Sequence, residues 1–416
     1  MKILFAWEIG GNLGHIAKYL PLLRLLRQRG HELLFASKEI ELAQHLLAPE
    51  GIAHVQAPLV TRFTGRIREP ASFADILAEI GFADTNALAG LLSGWRNLFE
   101  LFKPDVLVAE YAPAAQFAAR LYGVPCLGLS TGFEHPPNVQ PFPLFRPWLK
   151  LSTEALLKKE AKLLGVVNTV LTRQGIAPMA RLQDVLKTDL SLLTTLPELD
   201  HYGARKGASY IGPMFTLADG LTQDWAGLPG SRIFAYLRPY PELPYMLDAL
   251  SDSNASVLAV VPGIGIERAA TYSNERLHVF SEQLKLAPLL PDMDLAITHS
   301  GHGLAGAFLL NGVPMLTVPT NIEQYMMSGR LIQLGVGKQV TRDRVKFDFT
   351  SSITQIVEAS SCREQARVIS KKYAGYDADR MVLRVANTIE RLPRQGAGQL
   401  SGSTTRANPM TLDVHS

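Results

Sequence analysis

Cysteine is nearly absent. Two residues in 416, Cys126 and Cys362, exclude a disulfide framework, and their isolation excludes a cysteine-based metal site. An excess of charge of one sign is missing too. Lys plus Arg number 41 and Asp plus Glu 38, a net of +3, without the concentrated basic surplus of a nucleic-acid binder. No long hydrophobic run occurs. The most apolar internal stretch, from Gly303 to Val318, holds Asn311 and Pro314 and is too short to span a bilayer. The opening MKILFAWEIGG has one Lys and too short an apolar segment for a secretory signal, so a reducing, cytoplasmic setting is the expectation. What the chain does have is length: at 47% hydrophobic it is too long for one ordinary core and long enough for two, since domains run to about 100–200 residues.

The apolar pattern alternates between strand and helix periods. Lys2–Trp7 reads as a strand buried on both faces, 8–13 as a glycine-bearing loop, and 14–29 as one helix whose Ile16, Leu20, Leu23 and Leu26 share a face. Glu32–Ser37 resumes as a strand after Gly30, with His31 an exposed strand-start residue. Strand 105–109, helix 112–121 and strand 126–129 repeat the unit. A second series follows, with strands at 231–237, 257–261, 277–280, 294–298 and 315–318 and helices at 302–311 and 321–334. Such alternation predicts parallel sheets with right-handed crossovers. The expected organisation is an N-terminal domain over 1–214, which the resemblance described below makes the acceptor-binding one, a linker over 215–230 and a second domain over 231–375, which it makes the nucleotide-sugar-binding one. A C-terminal helix over 376–392 and a disordered tail over 393–416 complete it. The proline-rich 134–145 is read as too irregular for a core element.

Ligands of open α/β sheets lie beyond the carboxyl ends of strands, which selects the loop and helix start at 10–15, the strand end at Glu110, and 298–304. THSGHGLAG follows a strand and opens a helix, so backbone N–H groups near Gly301, His302 and Gly303 can meet an anion, with His299 as a further donor. By itself this turn fits a tight structural turn equally well.

APLLPDMDLAITHSGHGLAGAFLLNGVPMLTVPTNIEQYMMSGRLIQLGVG resembles the donor-binding signature of the family 1 GT-B glycosyltransferases, which use UDP- and dTDP-sugars. GNLGHIAKYLPLLRLLRQRGHELLFAS and KPDVLVAEYAPAAQFAARLYGVPCL resemble the N-terminal half of the same family. The resemblance implies an α/β GT-B fold, two doubly wound, Rossmann-like parallel-sheet domains facing a central cleft. It implies His15 as general base and Glu110 as its acidic partner, where most relatives have the shorter Asp. It implies His299, Ser300, Gly301, His302 and Gly303 around the donor diphosphate, and Glu323 and Gln324 on the donor sugar. Asn12 and His135 are weaker acceptor-side candidates. No cofactor and no metal are implied: the nucleotide sugar is a substrate, and backbone donors at a helix end can carry its leaving charge. A His at a helix start feels the positive dipole end, which favours the neutral base, and a carboxylate steadies the imidazolium as it forms.

Two departures bear on the donor. Ala307 stands where many UDP-sugar enzymes carry a Glu for the ribose, and Leu304 where Ser or Thr often meets a phosphate. A dTDP-sugar, lacking the 2′-hydroxyl, is therefore at least as well suited as a UDP-sugar. Arg238, in FAYLRPYP, is either a diphosphate contact or a surface ion-pair residue. Asp292-Met293-Asp294 spells the DxD of a different fold but falls at the amino end of its strand, and is set aside. The acceptor is a small molecule or a lipid, and the stretches 61–99 and 132–164 that would bind it carry no transferable pattern. A helix over 148–164, with Trp148 and Lys150, Lys158, Lys159 and Lys162, reads as a solvated surface helix or as a peripheral membrane contact. A sugar-nucleotide epimerase and a non-catalytic nucleotide-sugar-binding protein share the twin-domain plan and stand as the alternatives.

Overall fold

The computed structural model describes residues 1–11, 14–61, 69–215 and 220–396. The chain divides into two compact units. Met1–Thr195, Ala204–Met214 and the C-terminal helix form the first; Leu196–Gly203 and Phe215–Asp377 form the second. The short segment Leu196–Gly203 thus leaves the N-terminal half that the sequence assigned to it.

Each unit is built on one six-stranded, fully parallel sheet. The first has β1 (Lys2–Trp7), β2 (Glu32–Ser37), β3 (Ala53–Gln56), β4 (Val106–Glu110), β5 (Cys126–Ser130) and β6 (Leu190–Leu193), in the order β3-β2-β1-β4-β5-β6. The second has β7 (Arg232–Tyr236), β8 (Ser256–Val260), β9 (Leu277–Phe280), β10 (Leu295–Thr298), β11 (Met315–Thr317) and β12 (Gly337–Gln339), in the order β12-β11-β10-β7-β8-β9. Counted within its own unit, each sheet runs 3-2-1-4-5-6, so the connections reverse between its first and fourth strands. Strand β4 is buried at every position, as a strand covered on both faces must be.

The first unit carries helices α1 (Gly14–Ala17), α2 (Leu20–Gln28), α3 (Ile40–Leu47), α4 (Phe73–Leu77), α5 (Thr85–Phe102), α6 (Pro113–Tyr122) and α7 (Thr153–Arg173). The second carries α8 (Leu243–Ser251), α9 (Ile266–Tyr272), α10 (His302–Leu310), α11 (Ile322–Gln333), α12 (Val345–Glu358) and α13 (Ser360–Lys372). The last helix, α14 (Ala378–Gly396), packs against α2 of the first unit, and Glu390 receives Arg29 at 3.0 Å and His31 at 2.8 Å.

Several local expectations are corrected. The helix read over 14–29 is two: Pro21, pre-set for a first turn and lacking an N–H, starts α2 afresh after four residues of α1. The later part of 61–99, a stretch read as irregular, belongs to the 18-residue α5, whose N-cap Asp84 accepts from Asn86 N and Ala87 N. The irregular proline-rich segment is core after all, because Phe142 and Phe145 are buried to 1% and 2% among Phe73, Phe133 and Tyr111. His31 is part-buried and hydrogen-bonded to Glu390 rather than an exposed strand start. The helix read over 148–164 begins at Thr153 and runs to Arg173. In the expected linker, Trp225 is buried and donates to Leu289 O at 3.0 Å, so its later part belongs to the second core. Helix α14 continues through the start of the expected tail, and 397–416 lie outside the described residues.

Candidate functional site

In the first unit the site grows from the pairing of β1 with β4, which sets Trp7 opposite Glu110 at their carboxyl ends. The chain leaves β1, turns at Gly10, and returns as α1 with the His15 ring stacked on Trp7, centroids 4.9 Å apart and planes 16° from parallel. His15 Nδ1 lies 3.0 Å from each oxygen of Glu110. A carboxylate only accepts, so Nδ1 carries the proton and Nε2 is the nitrogen left to take one. Glu110 is 1% exposed. Burial pushes its carboxyl up, but the charges of His15 and Lys18 and their hydrogen bonds outweigh this and hold it below the usual carboxylate range. The dipole argument made for His15 loses force, because α1 is a single turn; Glu110 supplies the orientation instead.

Gly10 is required by this geometry. Its φ is +92°, and a Cβ there would overlap His15 Nε2. Lys38 Nζ donates to Gly10 O and fixes the turn. Sequence reasoning missed Lys18, whose Nζ donates to Glu110 Oε1 at 2.7 Å. Its position three residues after His15 on a helical turn was the available signal. It also missed Glu8, buried to 5%, which accepts from Ala114 N at 2.9 Å, Ala115 N at 2.8 Å and Trp95 Nε1 at 2.6 Å. Burial raises the Glu8 carboxyl to about 7 against those three bonds. Asn12 lies outside the described residues. His135 departs from its expected acceptor role. Its Nδ1 is buried, its Nε2 meets Ser191 Oγ at 3.2 Å, and its carbonyl accepts from Arg205, so it is part of the scaffold under β6. Burial, with Arg205, lowers it to about 4.

In the second unit the corresponding reversal point lies between β7 and β10. Ser300, at φ +58°, makes the turn from β10 into α10. Its N–H donates to Thr298 Oγ1 at 2.9 Å, and its hydroxyl lies 2.6 Å from His299 O and 2.8 Å from Gln324 O, tying the turn to α11. Gly301 is the N-cap of α10 and offers no side-chain cap, so the first-turn N–H groups are not satisfied by a side chain of the cap residue. A Cβ on Gly301 would meet no atom within 4 Å. His299 Nδ1 donates to Val318 O at 2.6 Å, which leaves the buried Nε2 without a partner among the described residues. In that tautomer Nε2 has no proton to give. The expected donation to a phosphate therefore requires the imidazolium, and burial, with Arg238 and Arg342, lowers the ring's pKa against the Val318 bond. Arg238 thus acts on His299 at least through its charge. Tyr240 stands edge-on to His299 at 5.5 Å, and Arg342 caps Tyr240 at 4.6 Å while pairing with Glu242.

Gln324 Oε1 accepts from Thr320 N and Oγ1 at 2.9 and 2.8 Å, so its amide NH2 is the group left to reach a ligand. Glu323 lies 3.7 Å from His201 Nε2, and His201 stacks at 6.0 Å on His302. His201 was not legible, because its segment was assigned to the other half. Ala307 is fully buried and Leu304 packs against the core of this unit. Asp292 and Asp294 pair with Arg232 and Arg363 at 2.9 and 2.7 Å, at the amino end of β10.

No protein-family model matches the chain. It is 22% identical over 404 residues to the PGL/p-HBAD biosynthesis glycosyltransferase of Mycobacterium tuberculosis, covering 89% of this chain and 88% of that protein. Among solved structures it is similar to the calicheamicin glycosyltransferase CalG4, with a TM-score of 0.68 at 17% identity over 96% of this chain and 99% of that one. It is also similar to the spinosyn rhamnosyltransferase SpnG complexed with thymidine diphosphate, with a TM-score of 0.65 at 16% identity over 93% and 99%. The fold of the chain is GT-B.

Proposed function

We propose that this chain, a glycosyltransferase of the GT-B fold, moves a hexose from a dTDP- or UDP-sugar to a hydroxyl of a small-molecule or lipid acceptor, with inversion and without a metal. The observation that carries the reading is His15, with Nδ1 spent on both oxygens of a buried Glu110 and Nε2 left as the base. In the step, Nε2 takes the acceptor's hydroxyl proton as that oxygen attacks the anomeric carbon. The bond from this carbon to the diphosphate oxygen breaks on the opposite face, which inverts the configuration. Glu110 steadies the imidazolium, as the carboxylate does in a Ser-His-Asp arrangement.

The charge that develops on the diphosphate falls to the second unit. The N–H groups opening α10 are fixed before the reaction and need no reorganisation, and His299 joins them once protonated. Glu323 and the amide of Gln324 read the sugar's hydroxyls. Ala307 supports a dTDP-sugar, since its methyl makes no hydrogen bond to a ribose, and SpnG, of the same fold, was solved with thymidine diphosphate. Calorimetric titration with dTDP and UDP tests the donor: comparable or tighter dTDP binding is expected, and clear preference for UDP overturns the inference. Screening mixed acceptor pools for release of nucleoside diphosphate then identifies the acceptor.

A further inference from the structure

Of the four tryptophans, Trp7 and Trp95 are fully buried and Trp225 is 3% exposed. Trp148 is 67% exposed. It stands in the short turn that leads to Ser152, the N-cap of α7. Leu151 at 42% and Leu157 at 37% are the next exposed apolar side chains along the chain. A helical side chain leans toward its own N-terminus, so Leu157 leans toward the end where Leu151 and Trp148 lie.

The remainder of α7 separates two faces. Leu156, Glu160, Leu163 and Val167 point inward and are buried. Lys158 and Lys162 point outward with Ala161 and Gly165 between and beyond them. Lys150, Lys158 and Lys162 are exposed and make no ion pair among the described residues, whereas Lys159 is held by Asp75 at 2.6 Å. Glu154 is the one exposed acid over 147–165. An apolar tip bearing a tryptophan thus adjoins three unpaired cations.

We propose that this surface of the first unit docks on an anionic lipid bilayer. Trp148, Leu151 and Leu157 enter the boundary between headgroups and acyl chains, and Lys150, Lys158 and Lys162 meet the lipid charge. Indole, with an apolar body and one polar N–H, suits that boundary. Three lysines near an anionic surface, with a small apolar tip, give weak, reversible, salt-sensitive binding. No helix among the described residues is long and apolar enough to cross a membrane, so the contact is peripheral.

The test uses the full chain with vesicles of phosphatidylcholine alone and of phosphatidylcholine with phosphatidylglycerol. Since the other three indoles are buried, Trp148 dominates any change in emission. Wild-type emission is expected to shift to the blue, and the protein to co-sediment, with the anionic vesicles only. Salt at about 0.5 M is expected to reverse both. Trp148→Phe should still sediment but give no shift. Trp148→Glu, and the triple change of Lys150, Lys158 and Lys162 to Glu, should remain folded by circular dichroism, all four side chains being exposed, and lose sedimentation. No shift with either vesicle, or an equal shift with both, overturns the proposal. So does burial of Trp148 on raising protein concentration without lipid, which would mark a second copy as the occupant.

Discussion

His299 donates its Nδ1–H in a hydrogen bond to the carbonyl of Val318, 2.6 Å away, and keeps a buried Nε2 with no partner among the described residues. Burial, Arg238 and Arg342 keep this ring's pKa below the ordinary histidine value. A diphosphate arriving at Nε2 would favour the imidazolium, so donor binding takes up a proton and the pKa rises in the complex. The sign follows: affinity for a dTDP-sugar, whose diphosphate does not titrate near neutrality, increases as pH falls from about 8 to about 6. Calorimetry in buffers of different ionisation enthalpy should record the uptake. Binding that releases no net proton and takes up none removes His299 from the phosphate.

Gly301 separates packing from binding. Its φ of −61° suits any residue, and a Cβ would meet nothing within 4 Å. Gly301→Ala should leave the melting temperature within about 2 °C of wild type, there being no cavity, clash or strain to change it. It should weaken dTDP binding by about tenfold or more, by holding the phosphate off the N–H groups of α10.

Lys18 gives Glu110 a second partner. Glutamate has one more rotatable bond than aspartate, and Lys18 pins one of its oxygens at 2.7 Å. Lys18→Met is expected to lower turnover by about tenfold, the scale of loss for a supporting contact behind a catalytic group, with donor affinity unchanged. Lys18→Arg should recover part of the rate. Equal rates for wild type and Lys18→Met reduce the lysine to packing.

The burial of Glu8 has a pH signature. Its carboxyl is raised from the ordinary carboxylate value of 4.5 to about 7, so across that window the folded chain holds a proton that the unfolded chain has lost. Stability should therefore fall as pH rises through the window and level off above it. In Glu8→Gln one of the two oxygens becomes an NH2 facing the N–H of Ala114 or Ala115. The variant should lose about 1–3 kcal/mol in denaturant unfolding together with that pH dependence.

The strands were legible wherever both faces are buried, since unbroken apolar runs such as ILFAW and LVA have no other economical place. The helix signals were weaker where a single residue decides. Pro21 split the first helix, and the Asp84 cap of α5 was overlooked within a stretch that has alternating small and large residues. The places of His15, Glu110 and the glycine turn at 301–303 could be read because strand ends followed by glycine mark the edges where ligands of such sheets lie, while the roles proposed for them came from the resemblance. Lys18 had only its spacing from His15 to mark it, and Glu8 and His201 had no local signal, because their partners lie 87 to 122 positions away and are brought near by the sheet order and by the place of Leu196–Gly203 in the second unit. Trp148 was misplaced because the apolar spacing of Leu156 and Leu163 was extended backward across Ser152.

The most direct test of the account is His15→Gln, with nucleoside diphosphate release from a dTDP-sugar measured beside calorimetric dTDP affinity. The exchange keeps a polar group of similar reach but removes the basic nitrogen, while the residues proposed for the donor, 299–303, 323 and 324, belong to the other unit. A fall in turnover of about a hundredfold or more with dTDP affinity unchanged is the predicted result. Turnover that persists near the wild-type rate would contradict a proton transfer at His15, and with it the reading of the Glu110 pair.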